Sequence, residues 1–228
     1  MENEGFFQRT ELLLGAEAMR ALAKTRVIVV GTGGVGSWCA EALARTAVGH
    51  LTLVDSDRVC ASNVNRQLMA TSATIGEPKV TALARRLREI NPAADIRAVD
   101  GVYSADTAST FKLEEFDYVI DAIDSVADKA QLIRHALSLP SVTLFSSMGA
   151  ARRLDPFRIR ATEFWKVQGD GLARALRNRF RKTGEFPARK FTCVWSEEPP
   201  RAEAGTVMHV TAAFGLALAS LVVRKVES

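Results

Sequence analysis

Residues 27–67 read VIVVGTGGVGSWCAEALARTAVGHLTLVDSDRVCASNVNRQ. A short apolar run, residues 27–30, meets Gly31, Gly33, Gly34 and Gly36; a helix-like segment follows, and a second apolar run delivers Asp55. Strand, glycine turn and helix in that order let backbone N–H groups approach phosphates, and a helix N-terminus favours an anion. An acid about 20 residues past the glycines is placed to bond a ribose hydroxyl. Capping the strand end is the other use open to Asp55. The polar block after it, Asn63, Asn65, Arg66 and Gln67, is more cationic than hydride transfer needs.

Outward from this unit the pattern alternates. Residues 11–22 read as an amphipathic helix with Leu12, Leu13, Ala16, Met19 and Leu22 on one face. Strands are expected at 27–30, 51–55, 96–99, 118–122 and 142–146. Helices are expected at 37–45, 79–90 (stopped by Asn91-Pro92) and 127–137. Strands separated by helices, each strand a continuous apolar run, predict a Rossmann-like doubly wound α/β fold with a mostly parallel sheet buried on both faces. The rhythm stops near residue 151, where arginine becomes frequent. The chain therefore divides into an ATP-binding part, 1–150, and a basic, substrate-facing and helical C-terminal extension, 151–228, packed on the same domain.

Composition sets the bounds. The chain has 228 residues, 47% hydrophobic and 25% charged, enough for one large domain. A net charge of +4 is too small to identify a nucleic-acid partner by itself. Cys39, Cys60 and Cys193 form no C-x-x-C pair, which argues against a zinc site and for a reducing, cytoplasmic location. The polar N-terminus shows no signal peptide. Residues 207–223 are nearly all apolar, but His209 and several small residues favour a buried helix over a membrane anchor.

Ligands of open α/β sheets bind at the carboxyl ends of the strands. Arg66 and Lys79 are candidates to hold a phosphate chain, one as a fork and one as a point charge. A solvated residue in a first helical turn is the bland reading of Lys79. Asp121 and Asp124, in VIDAIDS, follow the fourth strand; Asp124 is the better magnesium ligand, while Asp121 braces the strand end.

These residues resemble a known family. GTGGVGS, DSDRVCASNVNRQ, GEPK and DAIDS, spread over residues 9–150, are similar to the adenylating enzymes related to the activators of ubiquitin, which include the bacterial activators of sulfur-carrier proteins. The resemblance implies that ATP and magnesium are bound and that a substrate carboxylate attacks the α-phosphate. It implies a nucleotide site of Gly31, Gly33, Gly34, Gly36, Asp55, Asp57, Asn63, Asn65, Arg66, Gln67, Lys79, Asp124 and Ser125. Within it Arg66, Lys79 and Asp124 act in catalysis and Asp124 handles magnesium. It also implies a homodimer in which Arg9 reaches the partner's site; the second arginine often found three positions earlier is here Phe6.

The segments GDGLARALRNRFRKTGEF and FTCVWSEEPP, residues 169–186 and 191–200, look like the branch that dehydrates threonylcarbamoyladenosine at position 37 of tRNA. Between Pro200 and Gly205 this chain is shorter than that branch. Activation of a small ubiquitin-like carrier protein is the alternative, opposed by the missing C-x-x-C pairs. An NAD-linked oxidoreductase or a non-catalytic nucleotide-binding module is opposed by Arg66, Lys79 and Asp124. Arg174, Arg177, Arg179, Arg181 and Lys182 fall within nine residues, with Arg152, Arg153, Arg158 and Arg160 before them and Arg189 and Lys190 after. Interleaved Phe180 and Phe186 would stack on splayed bases; a solvated helix face is the other reading of this stretch. Cys193 reads as structural, or as an exposed thiol for a sulfur-relay protein. His50, His135 and His209 have no ligand spacing, and Trp38 and Trp165 read as packing residues.

Overall fold

A computed structural model describes residues 5–227. Residues 26–30 form β1 (Arg26–Val30), an interior strand of a seven-stranded sheet. Around it lie β2 (His50–Asp55), β3 (Asp95–Asp100), β4 (Tyr118–Asp121), β5 (Thr143–Ser147), β6 (Ile159–Glu163) and β7 (Thr192–Ser196), in the order β3-β2-β1-β4-β5-β7-β6. All pairs are parallel except β6 with β7, which puts one antiparallel strand at the edge. This is the doubly wound α/β fold that the apolar runs predicted. The chain reverses direction across the sheet between β1 and β4, and ligands of such sheets bind at that switch point.

β1 shows why the sheet is buried on both faces. Val27 and Val29 enter one core with Leu43, Leu53, Leu83 and Phe214; Ile28 and Val30 enter the other with Val119, Leu132, Leu144 and Phe180. Successive strand residues point to opposite faces, and each such side chain contributes about 1.5–3 kcal/mol on burial. The first core is covered by α1 (Gln8–Lys24), α2 (Gly36–Arg45), α3 (Lys79–Ile90) and α6 (Met208–Glu227). The second is covered by α4 (Val126–Ser138) and α5 (Gly171–Thr183).

Two expectations need correction. The helix at 11–22 is broken at Gly15, whose φ of 82° and ψ of 160° are not helical, so the periodic face does not continue through it. Leu22 is buried and Met19 half-buried, but Leu12 and Leu13 remain 77% and 82% exposed. Two strands, β6 and β7, were also missing from the reading; residues past 151 therefore extend the same sheet.

The apolar segment near the C-terminus is α6, packed on α2 with Phe214, Leu218 and Val222 buried. By length and composition it could cross a membrane, yet within this fold it is a core helix. A Cβ at Gly215 would lie 2.4 Å from the Val35 carbonyl oxygen, so only glycine lets α6 approach the start of α2 this closely. That crossing brings the first turn of α6 to the glycine turn after β1.

Candidate active site

The turn after β1 is shaped by two glycines and left open by a third. Gly31 has φ +89°, and a Cβ there would lie 2.7 Å from the Ala122 carbonyl oxygen. At Gly36 a Cβ would lie 1.8 Å from the Gly31 carbonyl oxygen, so α2 starts in direct contact with the turn. Gly33 faces open space, its nearest neighbour the Gln67 Nε2 at 3.8 Å from an added Cβ. Asp55, at the end of β2, ties the turn down: its Oδ2 accepts from the Thr32 backbone N–H (2.7 Å) and hydroxyl (3.1 Å), and its Oδ1 from the Asp57 N–H (2.9 Å). A carboxylate has about four lone-pair sites, so acceptor capacity remains.

Beside the turn lies a cavity of about 530 Å³, a size typical of small-molecule sites. Gly31, Gly33, Gly34, Asp55, Arg66, Gln67, Lys79 and Asp124 line it. Lys79, the first residue of α3, is 5% exposed, and its Nζ lies 2.7 Å from Asp57 Oδ2. The bland reading, a solvated lysine, is thereby set aside. Arg66 lays its stem along Gly34 and donates to the Ser62 carbonyl (2.8 Å) and Asn65 Oδ1 (2.9 Å). Asn65 in turn donates to the Thr206 carbonyl (3.0 Å), and Trp38 Nε1 donates to the Arg66 carbonyl (3.0 Å). Gln67 is buried beside Gly33, and its Oε1 has no hydrogen-bond partner among the described residues.

Other predicted residues lie off the cavity lining. Asn63 is buried with its Oδ1 accepting from the Cys60 N–H (3.1 Å), so it shapes the turn that carries Arg66. Gly36 supports α2, Asp57 pairs with Lys79, Asn65 orients Arg66, and Ser125 is the N-cap position of α4. Asp121 is fully buried, paired with the fully buried Lys129 at 2.8 Å, and accepts from the Ser146 hydroxyl (2.6 Å) and the Ile123 N–H (3.2 Å). Burial pushes its carboxyl above the ordinary range, against the opposing pull of Lys129. Lys129 also donates to the Ile123 carbonyl (2.9 Å), so the pair fixes the turn that leads to Asp124.

Sequence reasoning missed part of the wall. Asp128, in the first turn of α4, joins exposed Asp124 on the lining. Tyr103, Met148, Gly149 and Thr211 complete other sides; Tyr103 passes its hydroxyl to His135 Nδ1 at 2.7 Å. Asp124 and Asp128 offer the oxygen donors that magnesium prefers, and it commonly takes one or two carboxylates plus substrate phosphates. The residues present thus fit that ion.

The basic stretch divides. Arg174, Arg179, Arg181 and Lys182 are exposed on α5. Arg177 instead turns inward, donating to the Val167 carbonyl (3.0 Å) with its guanidinium 5.7 Å from the Phe164 ring centre. Phe180 is 1% exposed in the core, which removes it as a base-stacking surface. Arg153 is buried against Asp170 (3.1 Å), Arg160 pairs with Glu197 (3.0 Å), and Arg189 caps the end of α4 through the Leu137, Leu139 and Val142 carbonyls. Cys193 is fully buried and its thiol is pushed up to about 12 by desolvation, so it is structural.

Glycine turn, anchored acid and convergent cations at the switch point define a nucleotide-binding protein of the doubly wound α/β class. The chain belongs to the ThiF family, whose model matches residues 7–226. It is 42% identical over 178 residues to the tRNA threonylcarbamoyladenosine dehydratase of Bacillus subtilis (strain 168), covering 78% of this chain and 70% of that one. The enzyme of the same name from Escherichia coli (strain K12) is 41% identical over 175 residues, 77% of this chain and 65% of its own length. The crystal structure of the E. coli tRNA N6-threonylcarbamoyladenosine dehydratase in complex with ATP superposes with a TM-score of 0.91 at 37% identity, covering 96% of this chain and 93% of that one.

Proposed function

We propose that this chain is an ATP-dependent tRNA threonylcarbamoyladenosine dehydratase. The observation that carries the reading is the convergence of Gly33, Arg66, Lys79 and Asp124 on one cavity at the β1–β4 switch point, in a chain that matches dehydratases over most of its length.

The chemistry follows from that arrangement. The threonyl carboxylate of the substrate attacks the α-phosphorus of ATP, and pyrophosphate leaves. The carbamoyl group of the same side chain then adds to the acyl carbon, AMP leaves with a carboxylate oxygen, and the ring closes with loss of a proton. Water is thereby removed from the nucleoside and accounted for by conversion of ATP to AMP and pyrophosphate. The Gly33 turn receives the phosphates, and Asp55 accepts from a ribose hydroxyl. Arg66 and Lys79 neutralise charge that builds on phosphate oxygens in the transition state. Asp124 and Asp128 would hold magnesium, which would supply further charge neutralisation on the phosphates. No enzyme nucleophile is needed, because a tethered group already has a large effective molarity.

Three finer parts belong to the same proposal. Exposed Arg174, Arg179, Arg181 and Lys182 supply phosphate contacts to tRNA. The chain works as a homodimer: Arg9 is exposed on α1 and does not line its own cavity, so reaching a nucleotide requires a second copy. Leu12 and Leu13, exposed on the same helix, supply the apolar surface for that contact. On the same reading the enzyme works in the cytoplasm.

The test is mass analysis of nucleosides from threonylcarbamoyl-modified tRNA incubated with the protein, magnesium and ATP. The expected result is ATP-dependent loss of one water from the modified adenosine. An unchanged nucleoside, with pyrophosphate exchange appearing only on addition of a Gly-Gly carrier protein, would overturn it.

A further inference from the structure

At the end of α5 away from the cavity, two aromatic side chains stand at the surface. Trp165 is 37% exposed and Phe186 53% exposed, with ring centres 6.2 Å apart. Trp165 is held from beneath. It lies edge-on to the buried Phe164 at 5.0 Å and against the buried Phe180 at 6.3 Å, and Phe164 stacks on Phe191 at 4.8 Å. Trp165 therefore rests on an aromatic floor, and Phe186 packs against its ring. An isolated exposed aromatic is unremarkable, but here the surroundings are cationic. Lys166 follows Trp165 directly, and Arg179, Arg181 and Lys182 flank Phe180 on the last turns of α5. These four side chains are exposed and make no ion pair among the described residues.

We propose that Trp165 and Phe186 form a stacking platform for an unpaired RNA base, with the α5 cations gripping the phosphates on either side. This rests on the tRNA reading above and names a second contact for that substrate, separate from the cavity. Every base has a π-face, so two exposed rings inclined at 40° with Lys and Arg on the neighbouring helix turns suit single-stranded RNA irrespective of sequence. A peptide or an apolar protein surface would leave those cations unpaired. The distance is apt as well. Leu172, in the first turn of α5, lines the cavity, and Phe180, the α5 residue against Trp165, follows eight residues later, so the platform lies about 12 Å along the helix at 1.5 Å per residue. An RNA loop that places its reacting nucleoside in the cavity thus has a second base held further along the same helix.

The experiment compares Trp165→Leu, Trp165→Phe and Phe186→Leu with the unaltered protein. Leucine keeps apolar filling over Phe164 and Phe180 but has no π-face; phenylalanine keeps one. The readouts are the KM for modified tRNA, the Kd for ATP, the melting temperature, and quenching of tryptophan emission by an unmodified anticodon stem-loop RNA. Stacking on aromatic side chains is worth about 1–3 kcal/mol per base, roughly a 5- to 150-fold change. Trp165→Leu and Phe186→Leu are expected to raise the tRNA KM by that factor, with ATP affinity and melting temperature unchanged. Trp165→Phe is expected to keep most of the tRNA affinity while losing the Trp165 share of the RNA-dependent quench, Trp38 and Trp195 remaining. An unchanged tRNA KM in both leucine variants, or a quench of undiminished size in Trp165→Phe, would overturn the platform. If the unaltered protein neither binds the stem-loop nor modifies tRNA, the tRNA reading itself fails, and the platform with it. If it modifies tRNA normally and the leucine variants do too, only the platform fails.

Discussion

Replacing Lys79 by methionine separates the catalytic use of this side chain from its structural use. Its Nζ is 2.7 Å from Asp57, but the partners are unequal: the lysine side chain is 7% exposed and the aspartate 69%. Once the lysine is gone, the Asp57 carboxylate stays in water, so no unpaired charge is left buried. Ion pairs with one exposed partner contribute about 1 kcal/mol at most, and methionine refills the space of the lysine stem. For a chain of this size that is a fall of about 2–4 °C in melting temperature. The catalytic loss is far larger, because a fixed charge aimed at the transition state is removed from a partly enclosed cavity. Losses of about 10²- to 10³-fold follow removal of one such group. The assay is ATP–pyrophosphate exchange with modified tRNA, alongside thermal unfolding. Asp57→Asn is the control, since it leaves the cation in place and is expected to retain far more activity. Exchange within about threefold of the unaltered enzyme in Lys79→Met would refute the assignment of this charge to the transition state.

Other expectations can be measured on the same preparations. Gly33→Ala should fold, since its Cβ meets nothing closer than 3.8 Å, but should raise the KM for ATP by obstructing the approach of phosphates; Gly36→Ala, with its Cβ 1.8 Å from the Gly31 carbonyl, should fail to give folded protein by circular dichroism. Lys129→Met should cost about 3–5 kcal/mol by leaving Asp121 buried without its partner, a fall of roughly 6–20 °C. Adding Asp121→Asn, which removes the buried charge and keeps an acceptor for the Ile123 N–H while its amide can donate to the Ser146 hydroxyl, should restore part of that, and no recovery in the double variant would count against the pairing. Burial would raise the Glu41 carboxyl, but hydrogen bonds and charge from Arg86 and Arg45 outweigh it and hold the group below its ordinary range. Its folded pKa is depressed, so its contribution is present above the unfolded value of about 4.3 and lost as pH falls through the folded one. Glu41→Gln should therefore flatten the loss of stability on the acid side, and an unaltered acid limb would refute that. Asp124→Asn should raise the magnesium concentration needed for half-maximal exchange while leaving folding intact.

What the sequence revealed and what it hid have distinct physical origins. The strand–glycine–strand unit was legible because backbone geometry leaves little choice: Gly31 and Gly36 sit where a Cβ would meet a carbonyl oxygen. The length and small residues of α6 were equally plain, and the need for Gly215 against α2 explains them. Strand β6 was hidden because it is an edge strand whose exposed positions carry no apolar run; β7 did carry a signal, a short apolar run like that of β1, and could have been found. Phe180 was misjudged although a signal existed: Ala173, Leu176 and Phe180 recur at helical spacing and form the buried face of α5. Asn63 looked like a ligand because it sits among ligands, whereas it lies off the cavity lining with its Oδ1 accepting from the Cys60 N–H. Asp128 could have been found as the carboxylate one turn into the helix after Asp124. Tyr103 and Thr211 come from distant parts of the chain and only the packing brings them to the cavity.

The disposition of the cysteines bears on which step follows adenylation. Cys39 and Cys193 are buried, and desolvation raises both thiols well above the range in which a thiolate forms. Cys60 is exposed and its thiol is held lower, chiefly by the Ser62 hydroxyl, but it does not line the cavity. None of the three is therefore placed as a nucleophile beside the site where an acyl-adenylate would form, since the thiolate is the reacting species. An enzyme that passed its acyl group to its own cysteine would need a thiol on that wall. An activated carboxyl consumed by a neighbouring group of the same substrate needs only to be held, shielded and released. The architecture suits the second course: fixed charges in the cavity for the phosphates and no thiol on its wall, with the exposed cations of α5 proposed above to hold the rest of the substrate. Selectivity in such an enzyme rests on what can deliver a carboxylate to the cavity.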